Sequence, residues 1–153
     1  MSKTLITYGT FDMFHIGHLN LLRRLKSMAG RVIVAVSTDD FNAVKGKKTM
    51  IPYEQRAAII DALECVDLVI PEETWEQKVT DIKKHNVDIF AIGDDWSGEF
   101  DFLSDYCEVV YLPRTKNIST TELKQSLRNF MSTPRDDLIK TFEVLDSLKK
   151  DLL

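Results

Sequence analysis

The sequence predicts an α/β fold in which a five-stranded parallel sheet is covered by helices on both faces. The first observation is a series of short runs of apolar and β-branched residues, typical of buried strands. The second is that segments with apolar residues at helical spacing separate these runs, an alternation typical of parallel sheets. The predicted strands are residues 4–8, 31–37, 66–71, 87–92 and 107–112.

The chain has 153 residues, of which 44% are hydrophobic and 29% are charged. These values are typical of one globular domain, which we expect over residues 1–131, with residues 132–153 as its helical appendage. The net charge of −4 argues against a nucleic-acid-binding surface, so any phosphate chemistry must rest on a local basic pocket. The sequence contains neither a signal peptide nor a transmembrane run, and we expect a cytoplasmic protein without membrane insertion.

The turn after the first strand combines two glycines and two histidines. Gly9 follows the strand, and Gly17 and His18 begin an amphipathic helix that continues to about residue 28. Backbone N–H groups at a helix start are unpaired, and the helix dipole favours an anion there. Glycine lets the backbone approach a ligand closely, and His15 lies three residues from His18. The turn is therefore predicted to bind phosphate.

A basic loop follows the second strand at the same edge of the predicted sheet. Lys45, Lys47 and Lys48 are ordinarily explained as a solvated loop. The loop is not a P-loop, because the upstream glycine and the leading strand are missing. Its position favours a role for the lysines as counter-charges to phosphoryl oxygens.

Two helices are predicted around the third strand. The first spans residues 53–64, with Arg56 in its first turn, ordinarily a surface position. The second begins at a capping box over residues 74–77. Lys78 lies in its first turn, where a cation opposes the helix dipole, and this conflict indicates a nearby anionic ligand.

Polar residues also follow the fourth and fifth strands. Asp94 and Asp95 come directly after the fourth strand, where a carboxylate can accept from the exocyclic amine of cytosine or of adenine. Arg114 follows the fifth strand, and Ser119 opens a capping box with Glu122. A helix cap needs only one hydroxyl, whereas three adjacent residues carry one here. This surplus favours a second phosphate site at this helix start. Those hydroxyls belong to Ser119, Thr120 and Thr121.

A last helix is predicted from Thr133 as N-cap and Pro134 as first helical residue. It carries an apolar stripe, for which we expect packing at a subunit contact. The stripe consists of Leu138, Phe142, Leu145, Leu148 and Leu152.

Three segments together resemble the cytidylyltransferase branch of the nucleotidyltransferases that carry the H-x-G-H motif. They are G-T-F-D with H-I-G-H at residues 9–18, G-D-D-W at 93–96, and R-T-K-N-I-S-T-T at 114–121. Within that branch the chain is most similar to bacterial enzymes that act on glycerol 3-phosphate. The resemblance extends from about residue 4 to about residue 130 and implies a Rossmann-like fold with strand order 3-2-1-4-5. The family commonly has glycine where Asn117 stands, and Asn tolerates the left-handed conformation better than most residues.

The resemblance also implies a reaction. CTP and sn-glycerol 3-phosphate would give CDP-glycerol and pyrophosphate by in-line attack of the acceptor phosphate on the α-phosphorus. Mg²⁺ is expected on the nucleotide phosphates, and a homodimer is expected from the family. The product would supply glycerol-phosphate polymers such as teichoic acid or a capsule.

Site residues follow from the same resemblance. Catalytic roles fall on His15, His18, Lys47 and Arg114. The same four residues are expected to bind the nucleotide, together with Gly9, Thr10, Phe11, Ile16, Gly17, Asp95, Thr115, Ile118, Ser119, Thr120 and Thr121. The acceptor is expected to contact Lys45, Arg56 and Lys78.

Other interpretations remain open at the level of sequence. The histidines could be two satisfied imidazoles beside a turn, although neighbouring phosphate-binding segments disfavour this. A metal site is weaker still, because His85 is predicted at the opposite edge and no thiol is suitably placed. The chain could act on ethanolamine phosphate, transfer an adenylyl group, or be a non-catalytic nucleotide sensor.

Overall fold

The computed structural model describes residues 2–116 and 118–152, which form two compact units, one ending at Ile118 and the other beginning at Ser119. The first unit contains five parallel strands in the order β3-β2-β1-β4-β5, which confirms the predicted fold and strand order. The strands are β1 (Thr4–Gly9), β2 (Arg31–Ser37), β3 (Leu68–Glu72), β4 (Ile89–Gly93) and β5 (Glu108–Leu112).

Helices connect the strands of this sheet. Short 3₁₀ segments at Asp94–Trp96 and Asp101–Asp105 follow β4. The helices of the first unit are α1 (Ile16–Met28), α2 (Asp39–Val44), α3 (Tyr53–Asp61) and α4 (Gln77–Lys84).

The sheet is packed on both faces because its strands are apolar on both sides. On one face Leu22 and Leu25 of α1 and Ile60 of α3 join a cluster with Val32 and Val34 of the sheet. The opposite face packs through a second cluster, which contains Phe90 of β4 and Ile82 of α4. Each of these side chains is at most 3% exposed, so burial of apolar surface on both faces stabilises the sheet.

Strand register brings the carboxyl ends of the strands to one edge. Gly9 of β1 pairs with Val36 of β2, and Ser37 pairs with Glu72 at the end of β3. On the other side, Gly93 of β4 pairs with Leu112 of β5. Ligands of open α/β sheets bind outside this edge, which therefore positions the candidate site.

Element boundaries differ from the prediction in a few places. The third strand was predicted to end at residue 71, which is a proline, and this end was wrong, because β3 continues through Pro71 to Glu72. As β3 is an edge strand, a residue without an N–H is tolerated there. Helix α2 was predicted as a loop, although Thr38 caps it and Asp39 lies in its first turn. Other differences are smaller. Strands start one or two residues later than predicted, as in β4 and β5, and α3 ends at Asp61, three residues before its predicted end.

The second unit contains α5 (Thr120–Met131) and α6 (Arg135–Leu152). Ser119 caps α5 by accepting from the Glu122 N–H at 3.1 Å, as predicted. The apolar stripe of α6 is largely exposed in the single chain, with Phe142 at 66% and Leu152 at 84%. The division at residue 131 between domain and appendage stays a prediction. Across the described helices, none combines the length and the apolar character that crossing a membrane requires.

Candidate active site

The two histidines of the turn cap α1 reciprocally. His15 is the N-cap, and its Nδ1 accepts from the Gly17 N–H at 3.0 Å. His18 is the third residue of the helix, and its Nδ1 accepts from the His15 N–H at 3.3 Å. The arrangement is a capping box in which imidazoles replace the usual hydroxyl and carboxylate. It satisfies two backbone donors and fixes both rings.

These hydrogen bonds also fix the tautomer of each imidazole. Because Nδ1 of His15 and Nδ1 of His18 accept, the proton of each neutral ring lies on Nε2. The two rings stack with centroids 3.9 Å apart, so both are held in one orientation. The Nε2 of His15 is buried and finds no hydrogen-bond partner among the described residues. A buried, unpaired donor beside a helix start suits an anionic oxygen.

The pKa values of both histidines favour the neutral rings. Burial lowers the pKa of His15. For His18, burial and then the interaction with His15 lower the pKa to about 4, while Asp12 raises it and Arg114 lowers it by a smaller amount. The site therefore presents N–H donors without imidazolium charge at neutral pH.

Glycines in this turn make room for aromatic rings. A Cβ on Gly17 would lie 2.7 Å from Cε1 of His15, and one on Gly9 would lie 2.8 Å from Cε2 of Phe11. Left-handed backbone occurs instead at Phe11 and Met13, with φ of 52° and 50°. Strained non-glycine backbone tends to persist where surrounding structure imposes it, as at ligand sites. Approach of a ligand to the glycine backbone stays a prediction.

The segment after β5 lies beside the histidines. Cγ2 of Ile118 is 3.3 Å from the position of a Gly17 Cβ, and Asn20 of α1 donates to Thr115 Oγ1 at 3.4 Å. Arg114 donates to Asp95 Oδ2 at 2.6 Å, so the two predicted nucleotide contacts are paired with each other. The structure thus brings together the predicted residues at the ends of β1, β4 and β5.

Lysines form a second cluster at the ends of β2 and β3. Lys78 Nζ donates to Glu72 Oε2 at 2.9 Å, and Lys45 Nζ lies 3.7 Å from Glu72 Oε1. Glu72 is an anion within the chain that relieves the dipole conflict predicted at Lys78. Lys47 is exposed, with Nζ 6.0 Å from the centre of the Trp96 ring. Binding of phosphate by these lysines stays a prediction.

Arg56 is 1% exposed and is not the surface residue that its position in sequence suggested. Its Nη1 donates to the carbonyl oxygens of Thr10 and Ser37 at 2.7 and 2.8 Å. Its Nε donates to the Ile51 oxygen, and Nη2 donates to Asp39 Oδ1 at 2.7 Å. The guanidinium ties the ends of β1 and β2 to the basic loop. Contact with the acceptor stays a prediction.

Other residues of this edge carried no predicted role. Asp12 is 2% exposed and accepts from the Met50 and Ile51 N–H groups, which holds the basic loop against the turn. Ser37 and Glu72 are buried beside the lysines. The burial of Glu72 could have been predicted only if the third strand had been predicted to extend past Pro71.

The remaining predicted residues divide between the turn and the second unit. Thr10 Oγ1 donates to Asn42 Oδ1 at 3.1 Å, and Ile16 is 52% exposed at the start of α1. Ser119, Thr120 and Thr121 begin the second unit at the start of α5. The predicted tolerance of Asn117 for a left-handed turn lies outside the described residues. In residues 2–116 and 118–152, no three His, Cys, Asp or Glu side chains are grouped to hold a metal ion.

A parallel sheet of this order, with a helix start at its carboxyl edge, defines a Rossmann-like α/β protein, a class whose ligands bind outside that edge. The sequence matches the cytidylyltransferase-like family over residues 6–126. The chain belongs to this family.

Named relatives agree with this family, and a solved structure shares the fold. Glycerol-3-phosphate cytidylyltransferase of Bacillus subtilis (strain 168) is 55% identical over 125 residues, covering 82% of this chain and 97% of the relative. The Staphylococcus aureus (strain NCTC 8325 / PS 47) protein of the same name is 55% identical, covering 82% and 95%. The crystal structure of a lipopolysaccharide core biosynthesis protein from Thermoplasma volcanium GSS1 has the same fold. It superposes with a TM-score of 0.68 at 22% identity, covering 76% of this chain and 100% of that chain.

The lowered pKa of His18 makes stability depend on pH. The folded pKa of about 4 lies below the ordinary value of 6.5, so the unfolded chain binds a proton more readily. The stabilising contribution is complete above the ordinary pKa and is lost as pH falls towards the folded pKa. As the pH falls from about 7.5 to 4.5, the unfolding free energy of the wild type should decrease. The decrease in His18→Gln should be smaller by on the order of 2 kcal/mol, because this variant lacks the titrating imidazole.

Urea unfolding at both pH values measures this difference. His85→Gln removes the histidine at the C-cap of α4 and should keep the wild-type pH dependence. Equal pH dependence in the wild type and His18→Gln would show that His18 titrates normally in the fold.

Proposed function

We propose that the chain is a cytidylyltransferase that converts CTP and sn-glycerol 3-phosphate to CDP-glycerol and pyrophosphate. A phosphate oxygen of the acceptor attacks the α-phosphorus of CTP in line, and pyrophosphate leaves. No covalent enzyme intermediate is needed, so catalysis consists of positioning and of stabilising charge on the phosphoryl oxygens. The substrates are those that the names of the 55% identical relatives give.

The observation that carries this proposal is the reciprocal capping of α1 by His15 and His18. It presents Nε2–H donors at a helix start, and the donor of His15 is buried and unpaired within the described residues. Such fixed donors stabilise negative charge that develops on oxygens in the transition state. We assign both histidines to the triphosphate and to this developing charge.

Charged residues at the neighbouring strand ends complete the nucleotide site. Lys47 and Arg114 contribute cationic donors to the triphosphate, and Thr115 lies beside α1 through its contact with Asn20. Asp95 accepts from the cytosine amine once a nucleotide phosphate replaces it at Arg114. The 2.6 Å pair of Asp95 and Arg114 supports this exchange, since both partners are already held at the site.

Lys45 and Lys78 bind the phosphate of the acceptor in this proposal. Lys78 Nζ lies 4.6 Å from the centre of the Tyr8 ring and 4.9 Å from that of Trp75. Lys45 Nζ lies 4.3 Å from the centre of the Phe41 ring. Aromatic faces that could hold an ammonium headgroup are thus occupied by lysines of the chain itself. This favours a neutral glycerol headgroup over ethanolamine phosphate.

Mg²⁺ fits this site as an ion carried by the nucleotide. Magnesium in such sites keeps several waters and is held mainly by substrate phosphates. The absence of a three-ligand cluster among the described residues suits that mode better than a protein cage. When bound, the ion would neutralise charge on the leaving pyrophosphate. Turnover measured with and without added Mg²⁺ checks this assignment. We expect turnover to require Mg²⁺ and to be abolished by EDTA.

The cellular role is part of the proposal. CDP-glycerol formed in the cytoplasm, where CTP is available, would supply a glycerol-phosphate polymer such as teichoic acid or a capsule. Cell fractionation and the polymer content of a deletion strain check this role.

Pyrophosphate release tests the reaction with a panel of substrates. We expect turnover with CTP and glycerol 3-phosphate, and at least about a hundredfold less with ATP or with ethanolamine phosphate, because buried polar groups reject mismatched partners. Glycerol should be inert because it lacks the attacking phosphate. Turnover with ATP would indicate an adenylyltransferase, and nucleotide binding without turnover would indicate a sensor.

The role of the histidines is tested by His15→Asn. Asparagine is a good N-cap and keeps α1, but it is too short to replace the Nε2 donor. We expect kcat to fall by about 10²–10³-fold with little change in melting temperature. His85→Asn serves as the matched control and should retain wild-type turnover. Near-normal kcat for His15→Asn would remove His15 from the mechanism.

We propose a homodimer on the basis of the exposed stripe of α6. Phe142, Leu145 and Leu148 are 66%, 55% and 52% exposed, and an isolated helix of this length is marginal in water. Light scattering should give twice the chain mass, and Phe142→Asp with Leu145→Asp should shift it towards the monomer, with kcat within a few-fold. The control Lys140→Asp changes an exposed charge of the same helix. A monomeric wild type would contradict the proposal.

A further inference from the structure

A buried carboxylate lies between the two lysines that the proposed function assigns to the acceptor. Glu72 is the last residue of β3 and is 2% exposed. Ser37, at the end of β2, donates to its Oε1 at 2.5 Å. Lys78 donates to its Oε2 at 2.9 Å, and Lys45 Nζ lies 3.7 Å from Oε1. Each oxygen of Glu72 therefore faces one ammonium group.

The surroundings of these ammonium groups are mostly apolar. Lys78 is 1% exposed and lies against the rings of Tyr8, Trp75 and Phe100. The side chain of Lys45 is 10% exposed. The ring of Trp75 lies within 5.4 Å of both ammonium nitrogens, so the two lysines share one aromatic enclosure.

Lys45 and Lys78 share one carboxylate, Glu72, as their ion-pair partner among the described residues. Asp81 carries a second negative charge nearby, but it accepts from the Tyr8 hydroxyl and from Gln77 and is not paired with either lysine there. Lys47 adds a further positive charge near Lys45. A buried ion pair kept for stability alone needs one lysine for one carboxylate, because surplus buried charge is costly. The surplus positive charge indicates that the cluster is completed by an anion from outside the chain.

We propose that Glu72 is a positioning residue, which holds Lys45 and Lys78 charged and side by side so that they receive the phosphate of the acceptor together. The inference rests on the proposed function, since it concerns the acceptor of that reaction. Glu72 holds Lys78 by a direct hydrogen bond, and it holds Lys45 by its charge and through Ser37, which donates to Glu72 and accepts from Lys45 at 3.2 Å. A phosphate monoester carries about two negative charges at neutral pH and is matched by two ammonium groups at fixed separation.

Removal of the carboxylate should release this arrangement. Burial is the main cause that lowers the pKa of Lys45, followed by Glu72, which raises it, and by Lys47 and Lys78, which lower it. Without Glu72, the ammonium groups of Lys45 and Lys78 lose their counter-charge and repel each other, and Lys45, which keeps its hydrogen bond to Ser37, loses its proton or turns away. The acceptor then meets one cation instead of two.

The variant Glu72→Gln tests this inference through the acceptor and the pH. Glutamine keeps the shape of the side chain and removes its charge. We expect the KM for glycerol 3-phosphate to rise about tenfold or more relative to wild type at about pH 8.5, with the KM for CTP within about twofold. The ratio to wild type should shrink as the pH falls towards about 6.5, because lower pH favours the charged form of Lys45, whose pKa is lowered by burial. Equal defects for both substrates, or no pH dependence of the ratio, would overturn the inference.

Two further variants complete the experiment. Glu73→Gln removes the adjacent, exposed carboxylate and should behave as wild type. Glu72→Gln combined with Lys78→Met removes one charge of each sign, so it should fold even if Glu72→Gln does not. If Glu72 acts through the lysines, the two substitutions affect the same interaction. The fold increase in the acceptor KM of the double variant is then smaller than the product of the fold increases of the two single variants. If Glu72→Gln does not fold, the double variant is compared with Lys78→Met alone. Equal acceptor KM values in these two variants support the inference, and a larger KM in the double variant contradicts it.

The wild-type assay separates this inference from the proposed function. A wild type without turnover on CTP and glycerol 3-phosphate overturns the proposed function. A wild type that turns over, beside a Glu72→Gln variant with unchanged acceptor KM, overturns only the role of Glu72.

Discussion

The guanidinium of Arg56 donates from the protein interior to oxygens on separate segments of the candidate site. Through Thr10 and Ser37 it joins the ends of β1 and β2, and through Ile51 and Asp39 it joins the basic loop and α2. A buried cation is tolerated only when its donors are satisfied, so these segments are held where the guanidinium needs them. The turn after β1 and the lysine cluster therefore keep a fixed separation along one sheet edge.

The turn after β1, which Arg56 holds in place through Thr10, contains two residues in an unfavourable backbone conformation. Phe11 and Met13 adopt left-handed conformations, which cost a non-glycine residue free energy. Asp12 lies between them, and its carboxylate accepts two backbone N–H groups of the basic loop. Those hydrogen bonds, together with the stacked rings of His15 and His18, oppose relaxation of the turn. The donors of the site are thus oriented before a nucleotide binds, as electrostatic stabilisation of a transition state requires.

Much of this could be predicted from the sequence because its signals are local. Apolar runs predicted the strands, and the glycines and histidines after β1 predicted the helix start at which His15 and His18 lie. The partner of Lys78 could not be predicted in the same way, since Glu72 is buried only because β3 continues past Pro71. The depth of Arg56 is likewise a consequence of packing, since a residue in the first turn of an amphipathic helix is ordinarily exposed. Long-range pairing decided both outcomes, and periodicity does not report it.

The charges of the site are moderate for one that is proposed to bind a triphosphate. Both histidines are neutral at pH 7, so they contribute hydrogen bonds without net charge, which are weaker than charge-assisted ones. Glu72 cancels one of the two lysine charges, and Asp95 pairs with Arg114 in the chain without ligand. An enzyme gains rate only from interactions that strengthen in the transition state, whereas uniformly strong binding would retain substrates and pyrophosphate equally. Fixed neutral donors and partly compensated cations suit that requirement, because they favour charge where it develops rather than any polyanion that enters.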